Sequence, residues 1–337
     1  MKRLTREHVF RNHGDLSTLP PEPPLTVAPG EVFEIETVDT GHIFMTSEAD
    51  MEKANGPMSG NPSTGPVLVE GVKAGEVIAV HIEAAEVVGH CKIGIGDETL
   101  LPAELRTKRS DFVRIESGVA HFSGGFTARV RPMFGCFGVV PAEPAPEPWH
   151  HGGNLDLPDV CAGNTVHVRC ERDGAWFACG DGHAVQGDGE VNGYSLEVSL
   201  DGRLRIDRSP YQEMRTILIE TPESFITVGV EKEFTDSIRS AEHSMAELLA
   251  AYRRRRPGER AAQVEAGTAR ADFCAPRCLN RAESHSMATG ADILDAYQLA
   301  SHVADIRLGP IWPKLREKMR WQIPIPMCVE LSKEHFA

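Results

Sequence analysis

From Glu31 onward, apolar and polar positions alternate in short runs. Val32-Phe33-Glu34-Ile35-Glu36-Thr37 alternates residue by residue, and Val67 to Val72 and Val77 to Ile82 are brief runs rich in β-branched side chains. A period of two with branched residues fits a pleated surface buried on one face. Gly and Pro interrupt these runs about every ten residues, the spacing of a sandwich or barrel. Residues 91 to 127 are Gly-rich and poorly patterned, which predicts a long excursion holding a hairpin or two. Tyr194 to Ile206 reads as strands around an Asp201-Gly202 turn, and Thr216 to Glu220 with Phe225 to Val230 as a second hairpin.

A helical period first appears at Ile238, Ala241, Met245, Leu248, Leu249 and Tyr252, with Thr235 or Asp236 as the cap. A second helix is predicted over 291–305, capped by Thr289, and a last strand within Ile323 to Leu331. The expected fold is mainly β: a sandwich- or barrel-like N-terminal and central part with a smaller α+β C-terminal part. The divisions fall at 1–145, 146–235 and 236–337. Residues 1–30 are polar, with Pro20, Pro21, Pro23 and Pro24 close together, and read as an extended lead-in.

Charge narrows the partners. Lys plus Arg number 35 and Asp plus Glu 49, a net of 35 − 49 = −14. Such a surface repels phosphate backbones and anionic membranes, so neither nucleic acid nor a membrane is expected. Met1-Lys2-Arg3-Leu4-Thr5 leads into no apolar segment, and no run approaches the ~18 apolar residues of a membrane span. The expectation is a soluble cytoplasmic protein, a homo-oligomer by default. The eight cysteines are scattered, which fits free thiols better than a disulfide framework. Cys274 and Cys278 are spaced C-x3-C with no second pair beside them.

Candidate chemistry crowds into one stretch. His150, His151, Asn154 and Asp156 come first; Asp181, His183, Gln186, Asp188 and Glu190 follow. Between them Thr165 to Cys170 alternates like a strand, so two polar loops joined by sheet are expected to fold back and face each other. Glycines alternate with the polar residues, as suits a shaped pocket floor where backbone must approach closely. The plainer reading is a pair of tight surface turns. His42 and His81 are further candidates to border the site. Pro141, Pro144, Pro146 and Pro148 form a stiff arm ahead of His150 and His151.

The run Gly152-Gly153-Asn154 with Asp156, then Gly180-Asp181, His183 and Gln186-Gly187-Asp188-Gly189-Glu190, resembles the acetamidase/formamidase family signature. Gly65 to Gly71 with Gly75, Pro132 to Pro141, and Ala28 to Glu31 with Glu36 to Asp39 resemble its flanking segments. The resemblance spans roughly residues 25 to 235 and fades afterward. It implies hydrolysis of small linear amides, such as formamide or acetamide, to carboxylate and ammonia. It also implies a tight, enclosed pocket for so small a substrate.

Amide hydrolysis needs a nucleophile, oxyanion stabilisation and an acid for the leaving amine. Gly193-Tyr194-Ser195-Leu196-Glu197 misses a G-x-S-x-G elbow at its last position. The carboxylates and imidazole instead suggest water activated by a divalent metal, zinc first and calcium second. Asp181 and His183, one residue apart, share a side of an extended strand, and Asp156 closes the set from the opposing loop. Glu190 is the candidate general base, His151 a second acid or ligand, and Asn154 and Gln186 the substrate-amide contacts. Glu190 and Glu197 acting with a Lys or Cys form a metal-free alternative. A non-enzymatic metal- or sugar-binding sandwich is the competing reading, and the His183/Glu190 pair argues against an all-oxygen calcium loop.

Overall fold

Strand Val77–Ile95 is the spine of the molecule. It pairs antiparallel with Glu197–Arg208 from Lys92↔Glu197 to Ile78↔Arg208, and with Thr165–Arg169 through Val80↔Val166. The computed structural model describes residues 1–40, 44–47, 49–50, 61–95, 109–191, 193–255, 304–308 and 325–333. The chain is mainly β, with mostly antiparallel pairings. Val32–Glu36 alternates in burial as its sequence alternates, placing Phe33 and Ile35 in the core. One hydrophobic cluster runs from Leu4 through Val80, Phe134, Phe177 and Leu204 to Cys328.

Several expectations change. The polar N-terminus is not merely a lead-in, because Lys2–Leu4 pairs in parallel with Val32–Glu36. Asp201-Gly202 makes no turn: it lies inside the continuous strand Glu197–Arg208, opposite Glu86 and Ala85. Gly202 serves packing instead, since a Cβ there would lie 2.9 Å from the Phe134 ring. The excursion is a meander in which Arg109–Glu116 pairs with Ile95 to Cys91 and with Val119–His121, which pairs with Thr127–Arg129.

The predicted second hairpin is present as Ile217–Glu220 with Ser224–Glu231, and strand Ile325–Ser332 adds to its edge. Helix Phe234–Arg255 covers this face, packing Ala241, Met245, Leu248 and Leu249 on Leu218, Phe225 and Val329. Gly229 permits the contact, because a Cβ there would meet the Ser237 carbonyl at 2.0 Å. Of the helix expected over 291–305, residues 291–303 lie outside the described residues, as do His42, Cys274 and Cys278, and its last residue, Asp305, instead begins strand Asp305–Leu308. The six described cysteines are free and buried. Among the described residues no helix is long and apolar enough to cross a membrane.

Candidate active site

Strand Met133–Val139 brings the two polar loops together by pairing on both of its edges. One edge takes Gly152–Asn154 and the other Phe177–His183, so Asn154 and Gly180 both lie opposite Cys136. Gly135 then carries the next turn, its carbonyl accepting from the backbone N–H groups of Leu155 and Asp156 at 2.9 and 3.1 Å. Asp156 enters the left-handed region there (φ 45°), as do Asp181 (φ 52°) and Glu190 (φ 41°). Among the described residues, three of the six non-glycine residues with positive φ are thus acidic residues of this region. Such conformations cost on the order of 1–3 kcal/mol and persist where surrounding structure enforces them, often at functional sites.

The side chains converge on His183. Its Nε2 lies 3.4 Å from Asp181 Oδ1 and 3.4 Å from Glu197 Oε2, and its Nδ1 lies 3.7 Å from Asp156 Oδ1. Asp156, Asp181, His183 and Glu197 are at most 2% exposed, and Glu190 is 8% exposed. Apart from these His183 contacts, no hydrogen bond from a described residue reaches Asp156 Oδ1, Asp181 Oδ1 or Glu197 Oε2. Two three-residue groups have donor atoms near enough to share an ion: Asp181, His183 and Glu197, and Asp156, His183 and Glu190.

Four buried carboxylates around one imidazole perturb each other strongly. Burial, then the charges of Glu190 and Asp181, hold the Asp156 carboxyl well above the usual carboxylate range. Burial pushes Glu190 up to about 7 and also raises Glu197. Burial opposes charge on His183, but the carboxylates of Glu197 and Asp181 outweigh it and hold the imidazole well above its ordinary value.

The supporting contacts assign positions that spacing did not show. Gln186 Oε1 lies 2.6 Å from His183 Nδ1, while its Nε2 donates to the Asp156 carbonyl at 2.5 Å. Both ends of Gln186 are therefore engaged in holding the site. Asn154 Oδ1 accepts from Asn61 Nδ2 at 2.6 Å and from the Cys136 thiol at 3.0 Å. Asn61 also donates to Asp181 Oδ2 at 2.8 Å. Ser195 Oγ donates to Glu190 Oε1 at 2.9 Å, and its N–H to Glu197 Oε1 at 3.1 Å.

Other candidates stand apart from this group. His151 is fully buried and pairs with Glu147 at 3.9 Å, beside His13. His150 stacks near Trp149 and pairs with Glu231 at 3.9 Å, and His81 pairs with Asp207 at 3.4 Å. No motif marks Asn61, while Gly135 lies inside the family-like segment Pro132 to Pro141 and Ser195 inside the incomplete elbow, neither with a role assigned. Glu197 is named only in the metal-free alternative, as an acid acting with Glu190.

A second buried cluster joins Ser209, His167 and Glu220. Ser209 Oγ lies 2.9 Å from His167 Nδ1, whose Nε2 is 3.4 Å from Glu220. This reverses the ring nitrogens of a serine-hydrolase triad. Ser209 is buried, and its Oγ also accepts from the Tyr211 N–H at 3.0 Å. A cavity of about 230 Å³ instead includes Gln186, Glu190 and Ser195 in its lining. Its volume is larger than that of a one- or two-carbon amide.

The site loop is clamped from the C-terminal hairpin. Arg307 donates to both oxygens of Asp188 at 3.0 and 2.8 Å, and its Nη1 reaches Glu330 at 2.9 Å and Asp159 at 2.7 Å. Asp188 precedes Glu190 by two residues. Arg307→Ala is expected to lower by about 10- to 100-fold any turnover that uses Glu190, since displacing a reacting group by ~1 Å costs on that order. Arg307→Lys should restore little, because it lacks the planar fork. Steady-state kinetics of both variants check this, and an unimpaired alanine variant would remove the clamp from the site.

Comparison with known proteins places these observations. The family model described as the acetamidase/formamidase family matches residues 142–239, the span holding Asp156, Asp181, His183, Glu190 and Glu197. A search of curated proteins gives no significant match. Among solved structures, a predicted acetamidase/formamidase from Thermoanaerobacter tengcongensis is similar at 23% identity and TM-score 0.76, covering 98% of this chain and 95% of that one. An acetamidase from Bacillus halodurans is similar at 23% identity and TM-score 0.73, over 99% and 98% of the two chains. The acetamidase from Yersinia enterocolitica gives 23% and 0.73, over 100% and 93%. Through residues 142–239 the chain matches the acetamidase/formamidase family, and along nearly its whole length it has the fold of solved acetamidases.

Proposed function

We propose that the chain hydrolyses the C–N bond of primary linear amides to carboxylate and ammonia. A divalent cation would be held by Asp181, His183 and Glu197, with Asp156 across the imidazole. The observation that carries this reading is the pair of oxygens, Asp181 Oδ1 and Glu197 Oε2, each 3.4 Å from His183 Nε2 and meeting no other hydrogen-bond donor among the described residues. Buried, unsatisfied acceptors are costly, and a shared cation offsets that cost for all of them. The central nitrogen favours zinc over calcium, which prefers oxygen ligands alone. When bound, such a cation supplies Lewis-acid polarisation of the carbonyl and acidifies a water near neutral pH.

The chain's own groups do the rest. Gln186 fixes the His183 tautomer by accepting from Nδ1–H, so the Nε2 lone pair faces Asp181 and Glu197. Glu190, at the cavity, takes a proton from the attacking water and delivers it to the departing nitrogen. Its carboxyl near 7 suits transfer in both directions. Ser195 holds Glu190 by donating to Oε1. Asn154, anchored through Oδ1, keeps its amide N–H groups for the substrate carbonyl.

Metal removal tests the reading. Chelation is expected to abolish ammonia release from acetamide, and zinc to restore it; full activity in metal-free protein would refute the reading. The chelated protein should also lose stability as pH rises. Glu190 is raised from 4.5 to about 7, so the folded chain keeps a proton that the unfolded chain releases in that window. Its contribution is therefore present below about pH 4.5 and lost by about pH 7, on the order of 3 kcal/mol. Melting temperature should fall across this range, and zinc should reverse the fall.

A further inference from the structure

We infer that the cavity beside Glu190 is an acyl pocket, and that the chain prefers primary amides with a neutral, apolar acyl chain of about four to six carbons over formamide and acetamide. The inference rests on the amidase reading above and specifies its substrate class. One wall is the site loop itself, through Val185, Val191, Tyr194 and Leu196; the other is Ile93 and Phe122, from the long strand and the meander. Ile93, Phe122 and Val185 pack on the main core while remaining only partly buried. Val191 and Tyr194 are 52% and 43% exposed, large apolar groups left open to water beside a buried acid. A small apolar patch continuous with a few convergent polar groups is the usual form of a ligand site.

Size and charge then define the occupant. A cavity of about 150 Å³ lined by Leu, Ile and Phe accepts benzene, and this one measures about 230 Å³. Formamide, with no carbon beyond its carbonyl, would leave these walls against water. A primary amide carries its only substituent on the acyl side, so that substituent must be the group the walls accept. The described lining contains Asp188 and Glu190 but no Lys or Arg, which disfavours acyl chains ending in a carboxylate. Gln186, also in the lining, is held in place by His183 and by the Asp156 carbonyl.

The test is kcat/KM for ammonia release from acetamide, butanamide and hexanamide by the zinc-loaded full chain. A rise of roughly fourfold per methylene is expected, the gain for burying each CH₂, which exceeds 100-fold from acetamide to hexanamide. Turnover of acetamide with a flat or falling series would overturn the acyl pocket and leave the amidase reading standing. No ammonia from any of the three would overturn both. Two variants from opposite walls separate pocket from rim: Val191→Trp fills it and Phe122→Ala opens it. Each should cut the hexanamide-to-acetamide ratio of kcat/KM at least tenfold with an unchanged melting profile. A ratio unaltered in both variants would also overturn the pocket.

Discussion

Glu190→Gln is expected to lower kcat for amide hydrolysis by about 10²- to 10⁴-fold, the range that a positioned acid–base group contributes. The substitution keeps the side chain's shape, and the amide oxygen can still accept from Ser195 Oγ, which lies 2.9 Å from the carboxylate today. It removes one of four crowded acids whose mutual repulsion, after burial, raises Asp156. Stability should therefore hold or increase, and cation content should hold, because Asp181, His183 and Glu197 remain. That combination separates a proton-transfer role from a structural one: a structural acid would cost melting temperature and metal together. Ammonia release, metal analysis and thermal melting measured on one preparation decide it. A variant retaining more than a tenth of wild-type kcat would take the acid–base role away from Glu190.

What could be read before the structure was local. Alternation exposed Val32–Glu36 as a half-buried strand, and a 3.6-residue period exposed the helix, because both signals live within a few neighbouring residues. The Asp201-Gly202 pair misled for the same reason. Its turn signature is local, while the demand for glycine comes from Phe134 across the sheet. The polar loops announced themselves by composition, but the agent that joins them, strand Met133–Val139, carries no chemistry of its own. His151 looked like a member of the group by adjacency, yet the turn into Gly152–Asn154 leaves it against Glu147. Glu197 sits seven residues beyond the motif and reaches His183 only because Glu197 and His183 are cross-strand partners.

Gly135→Ala is expected to empty the cation site. A Cβ at this position would stand 2.5 Å from Asp156 Oδ1, 2.8 Å from Asp181 Oδ2 and 2.8 Å from His183 Cε1. None of the three can retreat cheaply. Asp156 and Asp181 hold left-handed backbone, and His183 Nδ1 is tied to Gln186 at 2.6 Å. The Gly135 carbonyl also accepts from the N–H groups of both Leu155 and Asp156, so the strand cannot slide away without breaking these bonds and its register with Gly152–Asn154. Displaced supporting groups cost about 10- to 100-fold in metal affinity. Here two carboxylates and the imidazole move at once, so the loss should reach at least that range, with kcat falling in parallel. A zinc titration competed against a chromogenic chelator measures the first and ammonia release the second. The melting temperature of the metal-free variant should also fall below that of the metal-free wild type, because a methyl forced into so close a contact costs about 1–3 kcal/mol. Wild-type zinc affinity in the alanine variant would show that the three side chains do not need this glycine between them, and would remove the geometric basis for a shared ion.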